Sequence, residues 1–147
     1  MTANSHVDEK YLIKTAKEAE SVAKKYASLF RKGDVVALFG ELGVGKTFFV
    51  QNVCKELGIK EVVSSPSYVL LNQYKGDIPI KHYDLYRLQY LEEVFELCMF
   101  EDLDETIIFV EWPQIAESIL PANTWHFYFE YDNDFKRKLH IIRNLKK

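Results

Sequence analysis

The chain has 147 residues and a net charge of −3; 48 % of its residues are hydrophobic and 28 % charged, so one domain of about 100–150 residues is expected and bulk disorder is excluded. Nineteen basic residues against twenty-two acidic ones exclude a protein that grips nucleic acid over its whole surface. No run approaches the ~20 apolar residues of a membrane helix, and two isolated cysteines, Cys54 and Cys98, exclude a disulfide scaffold or a zinc module.

The polar residues 1–10 lack the apolar core of a secretory signal. The expectation is a cytoplasmic protein without membrane contact, a single domain over 1–147 with residues 1–9 flexible. Residues 10–14 predict a short edge strand. Ala16, Ala19, Val22, Ala23, Tyr26, Ala27 and Phe30 recur at steps of three and four, which predicts a helix over 14–30 stopped by Gly33. Residues 35–39 are uninterruptedly apolar, as in a strand covered on both faces. A glycine-bearing loop and a helix over 46–57, closed by Gly58, follow. Strands are predicted at 68–75 and 79–85, a helix at 90–99 and a second central strand at 106–110. Trp125, Phe127, Phe129 and Tyr131 alternate with more polar residues, and a turn at 132–134 leads to a returning strand at 138–143. The fold class is therefore α/β, with helices on the faces of a mixed sheet and a C-terminal antiparallel hairpin.

Residues 40–47, Gly-Glu-Leu-Gly-Val-Gly-Lys-Thr, satisfy G-x-x-x-x-G-K-[ST] at every fixed position, between a strand and a helix. In such a loop the backbone N–H groups of Glu41, Leu42, Gly43, Val44 and Gly45 face phosphate oxygens, and the helix directs its positive end at them. Lys46 is assigned to the β and γ phosphates and Thr47 to Mg²⁺. Glu111, after the apolar strand, is the candidate acidic partner of the metal; a strand-terminal Glu paired with a nearby base is the alternative. Asp84 is the candidate for ordering a metal-bound or attacking water; a hydrogen-bonded turn is the alternative. A transition-metal pair of His82 and Asp84 has too few ligands. Ser65, Pro66 and Ser67 form a hydroxyl-rich connection of the kind that senses a γ-phosphate. Arg137 and Lys138, after the hairpin turn, read as a solvated turn face, with a place flanking nucleotide or partner as the alternative. No Asn/Thr-Lys-x-Asp segment reads guanine, so ATP is favoured over GTP.

Four blocks occur in order: residues 40–47, Ser-Pro-Ser-Tyr at 65–68, His-Tyr-Asp-Leu-Tyr-Arg-Leu at 82–88 and Val-Glu-Trp-Pro at 110–113. Together they resemble the TsaE (YjeE) family, the small ATPase of bacterial tRNA threonylcarbamoyladenosine synthesis, over about residues 10–145. The resemblance implies a P-loop NTPase-like three-layer fold that binds ATP, with Mg²⁺ on Thr47 and Glu111. It puts Asp84 near the metal, Trp112 beside the nucleotide, and a switch at 65–68. It makes Lys46, Asp84 and Glu111 the catalytic set. It further implies TsaD-like and TsaB-like partners, with tRNA met only through their complex. Hydrolysis is expected to be weak alone and stimulated by the partners, since no arginine is placed near the phosphates. The alternatives are a small-molecule kinase, which the acidic stretch at 92–105 disfavours as a phosphate lid, and an ATP-gated adaptor that does not hydrolyse.

Overall fold

The computed structural model describes residues 6–66, 68–133 and 135–144. Its centre is β2 (Val35–Phe39), every residue of which is buried. Val36 and Leu38 face one apolar layer and Val35 faces another, so neither side of this strand tolerates a polar residue. β5 (Ile107–Glu111) repeats the pattern: Ile107 and Phe109 lie in the first layer, Ile108 and Val110 in the second. The seven strands run in the order β1-β7-β6-β2-β5-β4-β3. β6 (Trp125–Tyr131), β2, β5 and β4 (Ile80–Asp84) are mutually parallel. β3 (Leu71–Tyr74), β7 (Arg137–Arg143) and β1 (Val7–Ile13) are antiparallel to their neighbours. The mixed sheet and the β6–β7 hairpin follow the sequence reading.

Helices α1 (Ala16–Ala27) and α2 (Lys46–Glu56) cover one face. They bury an aromatic cluster in which Tyr26 meets Phe127 edge to face at 5.4 Å and Phe30 meets Trp125 at 5.3 Å. Thr15 caps α1 by accepting the Glu18 N–H at 3.1 Å. The opposite face is covered by α3 (Leu91–Glu96) and a 3₁₀ segment, Pro113–Ile119. Three layers result, as the family resemblance implies.

Several boundaries differ from expectation. β1 begins at Val7 rather than at 10: residues 7–9 pair with 141–143 of β7. Residues 1–5, together with Ser67 and Asp134, lie outside the described residues. The helix predicted over 90–99 stops at Glu96, and Cys98 then takes a left-handed conformation (φ 50°) that glycine usually supplies. The strand predicted from 68 starts at Leu71, after a turn in which Val69 and Leu70 N–H both donate to the Pro66 carbonyl. Among the described residues no helix is long and apolar enough to cross a membrane.

Candidate functional site

Because β2, β4 and β5 are parallel, their carboxyl ends meet on one edge of the sheet, where ligands of open α/β sheets bind. The loop 40–45 leaves β2 there and enters α2 through Gly45, which has no side chain to cap the helix. The first turn of α2 carries no acidic residue either. The N–H groups of that turn are thus directed at whatever occupies the cleft.

Gly40 has φ 148°, and a Cβ there would sit 2.7 Å from the Phe129 carbonyl oxygen and 2.8 Å from Val44 Cγ1. Only glycine permits that approach. Two side chains of the C-terminal hairpin grip the loop from behind: Tyr131 Oη donates to the Leu42 carbonyl at 3.0 Å, and Arg137 Nε donates to the Val44 carbonyl at 3.1 Å. In a trans peptide the N–H of the next residue points the opposite way. Holding those two carbonyls therefore turns the Gly43 and Gly45 N–H groups away from the hairpin. Arg137 is a prop of the loop rather than a solvated turn residue, while Lys138 pairs with Asp132 at 3.8 Å. Sequence reading missed Tyr131 and gave Arg137 no part in holding the loop, since both roles depend on how the hairpin docks.

Lys46 is 4 % exposed. Its ammonium donates to the Gly40 carbonyl and lies 3.8 Å from the centroid of the Trp112 ring. Burial holds its pKa below the ordinary lysine value, against the opposing pull of Glu111 and Asp84. Thr47 Oγ1 donates to Glu111 Oε2 at 3.0 Å. Glu111 closes β5 beside Asp84, which closes β4 in register with it; each is 3 % exposed. Asp84 Oδ1 accepts the Tyr86 N–H at 2.9 Å, so the turn contact and a place in the cleft coexist. Trp112, at φ 53°, swings its ring over the cleft and packs against Tyr86 at 4.8 Å.

A cleft of about 230 Å³ is lined by Leu42, Gly43, Gly45, Lys46, Thr47, Phe48, Ser65, Asp84, Glu111 and Trp112. Most of the residues singled out from the sequence meet there. Glu41 does not: its side chain is exposed, and only its carbonyl, which accepts the Val44 N–H at 3.2 Å, shapes the loop. Val44 is 1 % exposed and anchors the loop in the core. Pro66 is buried and fixes the turn before β3. A larger, mainly apolar cavity of about 410 Å³ lies on the other side of Gly43 and Gly45, between Thr15, Ala16, Phe48, Phe135 and Arg137; nothing in the local sequence announced it.

The donor set suits a magnesium polyphosphate. It offers an ammonium and backbone N–H groups that donate to phosphate oxygens, and two hydroxyls and two carboxylates whose oxygens are hard ligands. Gly45, at φ 121°, has no atom within 4 Å of where a Cβ would stand, leaving the helix start open. Among the described residues no cluster of three or more His, Cys, Asp or Glu side chains could hold a metal, so a transition-metal centre has no support. His82 instead turns Nε2 to Glu111 Oε2 at 2.6 Å.

A family profile described as "Threonylcarbamoyl adenosine biosynthesis protein TsaE" matches residues 13–139. The TsaE protein of Rickettsia felis is 36 % identical over 135 residues, covering 90 % of this chain and 79 % of its own length. That of Bacillus subtilis is 32 % identical over 124 residues, covering 83 % and 77 %. Among solved structures, Bacillus subtilis YdiB superposes with a TM-score of 0.76 at 27 % identity, covering 94 % of this chain and 86 % of that one.

Proposed function

The chain belongs to the TsaE family, and on that premise we propose that it is the Mg²⁺-dependent ATP-binding and ATP-hydrolysing subunit of tRNA threonylcarbamoyladenosine synthesis. The observation that carries the nucleotide reading is the meeting of Thr47 and Glu111 at 3.0 Å, 64 positions apart, directly beside the buried Lys46. That is the arrangement in which one hydroxyl and one acid share a magnesium ion while an ammonium meets the phosphates.

Bound Mg²⁺ would supply charge neutralisation between the β and γ phosphates. The chain's own residues do the rest. Loop amides at Gly43 and Gly45 and the first turn of α2 bind phosphate oxygens. Lys46 exchanges its Gly40 carbonyl contact for the β and γ phosphates. Thr47 and Glu111 orient the metal, and Asp84 orients the attacking water. Ser65, at the wall of the cleft, follows the γ-phosphate, with Pro66 fixing the turn behind it. Trp112 shields the site from bulk water. The apolar cavity beyond Gly43 supports seating the purine there. Asp84→Ala is expected to lower kcat by about 10–100-fold while leaving the Kd for ATP within about threefold, as a water-positioning carboxylate would. Equal small changes in both would return Asp84 to a structural role.

Among the described residues Lys46 is the only cation lining the cleft, which supports a slow isolated ATPase. TsaD-like and TsaB-like proteins are the proposed partners, and tRNA is met only through their complex. Exposed Leu42 in the cleft wall and exposed Tyr86 packed on Trp112 favour a protein lid supplied in trans. Reconstitution tests the function: ATP turnover is expected to rise at least ~10-fold when both partners are added, and threonylcarbamoyladenosine in tRNA to depend on this chain. Flat turnover with active partners, or full modification without the chain, overturns it.

A further inference from the structure

His82 lies outside the cleft wall, two residues before Asp84 on β4, and its side chain is 0 % exposed. Nε2 stands 2.6 Å from Glu111 Oε2, whereas Nδ1 has no hydrogen-bond partner. Partner chemistry assigns the proton. A bare Nε2 lone pair would face a carboxylate, so Nε2 carries the hydrogen and donates, and Nδ1 presents an unpaired lone pair to its surroundings. An unpaired buried polar atom costs about 1–3 kcal/mol. A residue that served only to fill this space would be apolar.

We infer that His82 is a positioning residue for Glu111, anchoring its carboxylate to the sheet so that it presents one orientation to a divalent cation. The Glu111 carboxylate has two hydrogen-bond partners among the described residues: Thr47, which rides on α2, and His82, which belongs to the adjacent strand. Thr47 belongs to the first turn of α2 and shares the phosphate site. His82 is fixed by strand pairing, with His82 in register with Phe109 and Asp84 with Glu111. Without it, Thr47 alone holds the carboxylate beside the Lys46 cation, and the anchor to the neighbouring strand that fixes its orientation for metal binding is lost. Hydrogen-bond partners of metal-ligating carboxylates typically change metal affinity by 10–100-fold when removed.

This inference rests on the magnesium reading above. The test is binding of a fluorescent N-methylanthraniloyl ATP to the intact protein, titrated with Mg²⁺ at fixed pH, with melting curves of each variant. His82→Asn, whose amide stops short of Glu111, is expected to raise the half-saturating Mg²⁺ concentration about tenfold or more. His82→Gln, whose amide nitrogen reaches the Nε2 position, should stay within about threefold of the unaltered protein. In a Glu111→Ala background His82→Asn should add nothing, because the residue it positions is gone. His82→Leu suits an apolar wall and carries the same expectation if the Asn variant melts below the assay temperature. An unshifted Mg²⁺ midpoint in both, an equal shift in His82→Gln, or a shift that persists without Glu111 overturns the inference while leaving the magnesium reading intact. Nucleotide binding by the unaltered protein that ignores Mg²⁺ takes both down.

Discussion

Lys46→Ala is expected to weaken ATP binding by at least ~100-fold, measured by calorimetry or with the fluorescent nucleotide, while the protein stays folded. The ammonium sits 4 % exposed at the start of α2, where water screens little. Opposite charges about 4 Å apart interact with about 4 kcal/mol at an effective dielectric near 20, and each 1.4 kcal/mol is tenfold in affinity. Folding itself gains little from this cation. Burial disfavours its charged form, and its carbonyl and Trp112 contacts only partly offset that cost. Truncation should thus leave the melting temperature unchanged or raise it slightly. Lys46→Arg should rescue poorly, because a planar guanidinium cannot replace a compact ammonium in the space between Gly40 and the Trp112 ring. ATP affinity within threefold in Lys46→Ala would remove the phosphate assignment altogether.

Glu111→Ala is expected to lower Mg²⁺-dependent turnover in the reconstituted complex by at least ~100-fold, with nucleotide binding largely kept in the absence of metal. The same change leaves Thr47 Oγ1 and His82 Nε2 without their acceptor, so the alanine variant should also melt lower, by about 1–3 kcal/mol of stability. Glu111→Gln separates the two effects. Its amide oxygen can still accept from Thr47 or His82, so stability should largely return, whereas the negative charge that attracts the metal does not. Restored turnover in Glu111→Gln would transfer the metal role to Asp84, its neighbour in register.

The two assays together also separate the alternatives. A kinase would transfer phosphate to a small metabolite with no partner present. The acidic α3, with Glu92 and Glu93 in its first turn, offers no cationic lid for that chemistry. A non-hydrolysing adaptor would bind ATP with Mg²⁺ and show the same Lys46 effect, but no turnover for Glu111→Ala to lose.

What was legible in the sequence was local. The glycine spacing of 40–45 before Lys46 and Thr47 reads directly, since each glycine answers a backbone demand within a few residues: Gly40, Gly43 and Gly45 all have positive φ. The two buried central strands were legible as uninterrupted apolar runs, and Glu111 as the acid ending one of them. The helix over 90–99 was over-read because its stop is Cys98 rather than a glycine, and β1 was begun late because Asp8 and Lys10 face solvent along an edge strand.

Residue order by itself was enough to read a glycine-rich strand–helix loop, an acid at the end of an apolar strand and an α/β core, because those features need only short-range chemistry. Only the folded sheet decided which side chains stand behind them. His82 reaches Glu111 because β4 pairs with β5 in one register, and a slip of one residue would turn it to the opposite face. Tyr131 and Arg137 hold the loop carbonyls because β6 docks beside β2 and β7 beside β6. Such contacts join positions 29 to 93 apart along the chain, and their energy depends on ångström-scale placement that no spacing rule encodes.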